Sequence, residues 1–395
     1  MNTAMLAKTN KASILDFSSD EHPFLREKRL KAFEQFEKLE MPKFKYGIGV
    51  YGTLNVDFDQ CNEKKNKSSA LKDEMLRNLK KNNIKNISAL SFEDAVNKFP
   101  KIKNLFGSLI PIENKIDAFH YMWCDVVVIF NESDATLPLH HITNNFSNNH
   151  LIIIAKENTH LNIIEQTEGN GFAAAFVELF VQPSATVQYT TIQNLSNGIF
   201  FSTKKAMVEK DAQVHWADIH LGSEHARAFT HTLLEGNQGK ATTKTFFFAN
   251  QKQLFDLQST LIHNGQDTTS TILSKGCIDN EAKTILRGLI KIQEQASRAK
   301  GSQKEEVLLL SEDAEIDAMP DLEIHNDDVQ CSHGAALGHI DKERLFYLMS
   351  RGLSKTDAQK LIVQGFFGEA FADLPEELSQ RCEKIIDEKL EKIKG

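Results

Sequence analysis

A chain of 395 residues with 41% hydrophobic and 25% charged side chains has the make-up of a globular protein with room for two or three domains. Its net charge of −8 argues against nucleic acid as a general partner, because phosphate binding needs a basic face. No apolar run approaches the length of a membrane-spanning helix, and five scattered cysteines without a Cys-x-x-Cys pair are neither a disulfide framework nor a zinc ribbon but suit reduced thiols in a cytosol.

The N-terminal stretch MNTAMLAKTNKASILDFSS lacks the continuous apolar segment of a signal peptide. Over residues 20–45, Phe24, Leu30, Phe33, Phe36 and Leu39 recur at intervals of three and four among charges, which predicts a helix that Pro42 stops. Residues 54–86 are polar and rich in Lys and Asn, the texture of a mobile loop. Ser91 and Asp94 have the spacing of a capping box for a short helix ending near Pro100. Residues 1–115 therefore read as a mainly helical N-terminal domain.

From about residue 122 the texture changes to short apolar runs. They are VVVIF (126–130), LIIIA (151–155), FVELFV (176–181), TVQYTTIQ (186–193), VHWADIHL (214–221), TKTFFFA (243–249) and ILRGLIKI (285–292). They are rich in β-branched and aromatic residues, and several alternate faces. No proline occurs from Ser184 to Met319, as suits interior strands that need every ladder donor. Many strands and few helices predict a sandwich, a barrel or a β-solenoid. No clean repeat period singles out the solenoid.

After Gly338 the pattern is helical again. Asp341 is placed as an N-cap and Gly352 as the residue that ends the helix. Ser354 with Asp357 opens a second helix through Ala358, Leu361, Ile362 and Phe366. Pro375 falls in the first turn of a third, along which Leu378, Cys382, Ile385, Ile386, Leu390 and Ile393 form one apolar stripe. Such a stripe usually packs on its own domain.

The densest chemistry lies at the junction, in PDLEIHNDDVQCSHGAALGHIDKERLFYLMSRG (320–352). Cys331 and His333 stand two apart, so on an extended segment both address one face. A thiolate and an imidazole together can hold iron or a nascent cluster. Spacing alone also allows a buried, inert cysteine. From Glu305 to Asp341 there are eleven acids and no Lys or Arg. Such a run gathers cations, such as approaching ferrous iron, or simply solvates a sheet edge. His215, His220, His225, His231 and His263 show no ligand spacing, and Cys277 reads as structural. His263 and Thr268 stand in the phrase HNGQDTTS.

This junction closely resembles the C-terminal core of the SufB/SufD family of iron–sulfur cluster assembly scaffolds. The matching residues are Pro320 and Glu323, Asn326 to Val329, Cys331 to Ala335, Gly338, Asp341, and the Leu-Phe-Tyr-Leu and Ser-Arg-Gly that follow. The segment Met41–Val50 and the histidine phrase from His263 are similar to the family as well. The Cys-Ser-His-Gly-Ala form resembles the SufD branch. SufB carries its assembly cysteine directly after the Pro-x-x-Glu, where this chain has Ile324.

The resemblance implies a right-handed parallel β-helix core over 116–338, between the helical spans 1–115 and 339–395. It implies a cytoplasmic, non-catalytic scaffold that pairs with a SufB-like subunit through the β-helix. It further implies contact with the ATPase SufC through the C-terminal helices, with Leu361, Ile362 and Phe366 as the residues concerned. His333, and with it Cys331, would handle transient iron or a nascent cluster at the partner interface, with no permanently bound cofactor. The absence of a P-loop motif leaves ATP hydrolysis to SufC, and the absence of a four-cysteine motif speaks against a permanent cluster. Two other readings stay open. One is a homodimeric scaffold of the same family. The other is a polysaccharide-active β-helix enzyme using paired carboxylates, a class that is usually secreted.

Overall fold

The computed structural model describes residues 9–46, 50–53, 56, 58, 70–82, 84–371 and 374–391. Cys61, Ile393, the middle of the Met41–Val50 segment and most of the loop expected over 54–69 lie outside the described residues.

Helices α1 (Lys11–Phe17) and α2 (Pro23–Phe36) come first. The second is shorter than the 20–45 pattern predicted. A two-stranded antiparallel ribbon, β1 (Lys43–Tyr46) and β2 (Val50–Thr53), follows. The polar segment is not all loop. Ala70–Lys81 is a helix, α3, because Met75 and Leu79, one turn apart, are both buried. Its lysines and asparagines masked that pair. Next come β3 (Ile87–Ser91) and α4 (Phe92–Lys98), the latter capped by Ser91, whose Oγ accepts from Asp94 N–H at 3.1 Å. Helix α5 (Lys115–Trp123) opens with an Asn114–Asp117 capping box and is buried from Ile116 to Trp123.

The rest is a parallel β-solenoid of about eight turns, as the family resemblance implied. Strand β4 (Asp125–Asn131) starts it. The strands β5 (Ala135–Ala155), β6 (His160–Val181) and β7 (Thr186–Val208) each run across two faces of the coil. They turn the corner at left-handed residues, which is why Gly171 (φ +91°) and Gly198 (φ +107°) are glycines. A Cβ on Gly198 would stand 2.1 Å from the Gly171 carbonyl oxygen of the turn below.

Later turns use two separate strands each: β8 (Gln213–His220) and β9 (His225–Leu234), β10 (Lys240–Ala249) and β11 (Leu254–His263), β12 (Thr269–Ile278) and β13 (Lys283–Ile292), β14 (Lys300–Leu309) and β15 (Glu315–Ile324). Strand β16 (Gln330–His339) ends the coil. Strands β8 and β9 both stack on the long β7, and from there even-numbered strands pair with even and odd with odd, all parallel. A repeat period does exist: the even strands start at Gln213, Lys240, Thr269, Lys300 and Gln330, roughly thirty residues apart. It has no fixed length and no consensus residue, so it is invisible as a sequence repeat.

Two apolar clusters fill the interior. A seam of polar side chains runs along the same inward face. Glu165 accepts from Tyr189, Lys204 pairs with Asp218, Thr245 meets Ser259, and Gln303 donates to Glu305. Outside, helices α1, α2, α4 and α5 pack on one face. Helix α3 contributes Met75 and Leu79 to the interior cluster beside Val127 and Leu137, and so covers the N-terminal end of the coil.

Three helices close the chain: α6 (Lys342–Ser350), α7 (Lys355–Phe371) and α8 (Glu376–Glu391). Asp341 caps α6 and Gly352 ends it with φ +97°, as the sequence predicts. Pro375 stands one residue before α8, not in its first turn; its carbonyl accepts from Leu378 and Ser379 N–H. The stripe Leu378, Cys382, Ile386 and Leu390 packs, with Val363, Phe367 and Phe371, on an outer face of the coil made of Ile192, Ile219, Phe246, Phe248 and Cys277. No helix among the described residues is long and apolar enough to cross a membrane.

Candidate functional site

Among the described residues, the C-terminal end of the coil has no counterpart of α3. Strands β15 and β16 are the last rungs, and their inward side chains lack a covering turn among the described residues. Ile324 is 42% and Leu337 45% exposed, unusual for positions whose register partners, Ile292 and Val307, are core. Cys331 and His333 are inward positions of this last rung, in register with Gly301 and Gln303.

The two predicted site residues thus share a face but differ in setting. Cys331 is half-buried. Its Sγ lies where Gly301 leaves room, 3.3 Å from where a Cβ would be, and it packs against the interior cluster. Burial raises its thiol above the ordinary range, opposed by a hydrogen bond from the Gly301 backbone. His333 is exposed. A metal ion held here would find one open imidazole and one thiol that must lose its proton on binding.

The acidic stretch around them is more neutralised than its sequence suggests. Glu306 pairs with Lys275 at 3.1 Å and Lys304 at 2.7 Å, Glu315 with Lys283 at 2.8 Å, and Glu323 with Lys291 at 2.5 Å. The cations come from earlier positions, mostly the preceding turn, and so escape a scan of 305–341. His325 also meets Glu323, at 2.8 Å. Asn326 and Asp328 build the last corner: Asn326 Oδ1 accepts from Asp328 N–H at 2.8 Å, and the Asp328 carbonyl accepts from Arg298 N–H at 2.6 Å. Asp327, Glu312 and Asp313 remain exposed.

Glu305, in the interior beneath this end, is fully buried. Burial raises its carboxyl from 4.5 to about 7, so the folded chain keeps a proton that the unfolded chain releases. Stability is therefore lost as pH rises from 4.5 to about 7 and is level above that. Glu305→Gln, which copies the neutral acid, should unfold a few degrees higher than the parent at pH 8 and at the same temperature near pH 5. Equal melting temperatures at both pH values would show that Glu305 is ionised in the fold.

The other histidines divide. His263 is a structural residue, with Nδ1 2.7 Å from Thr268 Oγ1 and Nε2 2.7 Å from Ser270 Oγ, which accounts for the HNGQDTTS phrase. His220 and His225 each have an Nδ1 without a hydrogen-bond partner. Cys277 is fully buried, as expected. Of the helical residues, Leu361 is 49% exposed and Ile362 is buried. Phe366 is half-buried under the Lys275 ammonium, 5.5 Å from the ring centre. Helix α6 has no buried residue and exposes Phe346, Tyr347 and Met349.

Sequence reasoning missed one group entirely. His120, Cys124 and His150 bring their ligating atoms within 4.8 Å of one another in the interface between α5 and the coil. The i,i+4 spacing of His120, on α5, and Cys124, the residue that caps it, was the available signal.

Residues 139–366 match the family model described as SUF system FeS cluster assembly, SufBD core domain. The chain belongs to the SufBD family of iron–sulfur cluster assembly proteins. It is 31% identical over 304 residues to a SufBD family protein of Staphylococcus haemolyticus, covering 73% of this chain and 65% of that one. Relatives in Staphylococcus epidermidis and Staphylococcus aureus are 32% identical over 246 residues, 61% of this chain and 53% of theirs. The chain thus spans between about half and two thirds of the length of these SufBD relatives. The matched span takes in β15, β16 and α6, so the open end of the coil lies within the family core.

Proposed function

We propose that the chain is a SufD-like, non-catalytic scaffold subunit of a cytoplasmic iron–sulfur cluster assembly complex. It pairs with a SufB-like subunit at the open end of the coil and with a SufC-type ATPase through the helices beyond it. The observation that carries the reading is the asymmetry of the solenoid: α3 covers one end, while the other leaves Ile324, Leu337 and His333 exposed. Exposed core positions at a sheet end call for a covering partner. Iron enters as cargo, with His333 as the accessible ligand and Cys331 behind it. Exposed Leu361, with Phe346 and Tyr347 on α6, offers the apolar contact for the ATPase.

His333→Ala is the test. Removing one exposed side chain should leave stability within about 0.5 kcal/mol of the parent and leave the pair of subunits intact, while lowering cluster yield on the complex. A normal cluster yield with normal iron content, or a large loss of stability, would rule out the ligand role. Copurification with a co-expressed SufB-like subunit distinguishes a heteromeric pair from a second copy of this chain on the same end.

A further inference from the structure

We propose that His120, Cys124 and His150 form a binding site for a divalent cation of borderline softness, zinc(II) foremost, separate from the open end of the coil. Two imidazoles and a thiolate are the donor set such an ion prefers. His120 comes from α5, Cys124 from the residue that caps its C-terminal end, and His150 from β5, and all three are fully buried.

The groups behind these ligands suit it. Glu178 on β6 accepts backbone N–H groups from Gly107 at 2.7 Å, Leu109 at 2.7 Å and Ile110 at 3.3 Å. The same carboxylate lies 3.0 Å from His150 Nε2. As an acceptor it fixes the proton on Nε2, so His150 Nδ1 presents a lone pair. A carboxylate holding the far nitrogen of an imidazole is the usual orienting device of metal-bound histidine.

That lone pair faces His120 Nε2 at 3.0 Å. Asn148 Nδ2 donates to the His120 backbone carbonyl at 3.2 Å. Both His120 Nδ1 and Asn148 Oδ1 are buried without a well-formed partner. In the tautomer that places the His120 proton on Nδ1, His120 Nε2 turns a second lone pair toward His150 Nδ1. A cation between those two lone pairs would take the place of the 3.0 Å hydrogen bond that joins the rings without it. An ion at ~2.1 Å from each nitrogen subtends about 90° at this separation, and an opening of a few tenths of an ångström brings it toward tetrahedral.

Burial keeps the His120 imidazole neutral, its pKa well below the usual value, and pushes the Cys124 thiol up to about 12. Binding therefore exchanges the thiol proton for the metal: the S–H bond breaks, the sulfur lone pair goes to the ion, and one proton leaves to solvent. Arg29 Nη1, 4.0 Å from Cys124 Sγ, stabilises the thiolate. The ion would pin α5 to the first turns of the coil.

Cobalt(II) serves as the probe on the full-length protein. One equivalent should give a thiolate-to-cobalt charge-transfer band, be displaced by zinc, and release one proton. Cys124→Ser should abolish the band, whereas Cys331→Ser and His333→Ala should retain it, which keeps this site distinct from the assembly residues. No band with the wild-type protein, or a band lost in Cys331→Ser and kept in Cys124→Ser, overturns the proposal. Should Cys124→Ser fail to fold, X-ray absorption on the zinc-loaded wild-type protein decides: one sulfur and two imidazole ligands support the site, and a shell without sulfur overturns it.

Discussion

Asp218→Ala should destabilise the protein by about 3–5 kcal/mol, the loss expected when one partner of a buried ion pair is removed. Asp218 and Lys204 point into the coil from successive strands and are 4% and 3% exposed. Asp218 also accepts from Thr230 Oγ1 at 2.7 Å, and Lys204 donates to Thr191 Oγ1 at 2.8 Å. The Lys204 ammonium lies 5.0 Å from the Trp216 ring centre and 5.3 Å from that of Tyr189. Without Asp218, a buried cation is left to those ring faces, one hydroxyl and the less direct pull of the Glu165 carboxylate. The double variant Lys204→Met with Asp218→Leu should recover most of the loss, because it removes both charges and keeps the volume. Denaturant unfolding of the parent and the two variants measures this. A loss below about 1 kcal/mol in the single variant would mean that water reaches the pair.

That seam of polar groups explains what the sequence hid. The runs VVVIF and LIIIA were legible because they bury both faces, one inside the coil and one under the helices. Strand β14, KGSQKEEVLL, was not, since its inward residues are Gly301, Gln303 and Glu305. Strand β16 was equally hidden, because its inward face is open to solvent. Cys331 and His333 were legible as a motif, with both residues on one short segment. The cluster of His120, Cys124, His150 and Glu178 draws on three elements that only the winding of the coil brings together. The tail was legible as helices through Asp341, Gly352 and Ser354. The surface on which it rests was not, because Ile192, Phe246 and Cys277 lie on strands of three different turns.

Ending the chain at Gly352 should therefore leave a protein that aggregates or melts far below the parent, not a free-standing coil. The truncation removes α7 and α8. It bares Ile192, Ile219, Leu221, Phe246, Phe248 and Cys277, each at most 2% exposed in the intact fold. Buried side chains of this size contribute about 1.5–3 kcal/mol each, so even after discounting for a compact unfolded chain the loss is on the order of 10 kcal/mol. That rivals the whole stability of a typical domain, about 5–15 kcal/mol. Polar ties go as well: Arg381 to Gln166 and Glu168, and Lys389 to the Phe248 carbonyl at 3.1 Å and Asn250 Oδ1 at 2.9 Å. Size-exclusion elution and thermal melting of the truncated chain test this. A monomer melting at the parental temperature would show that the last two helices are an appended unit, detachable for a partner. Aggregation would show that they are part of the coil's own core, and that an ATPase partner must be sought at the exposed side of α6 and α7, where Phe346, Tyr347 and Leu361 face solvent. Phe367→Asp separates the two without shortening the chain. It places a charge beside Phe371 in the packed seam between α7 and the outer face of the coil, so it should reproduce the truncation if the seam holds the fold.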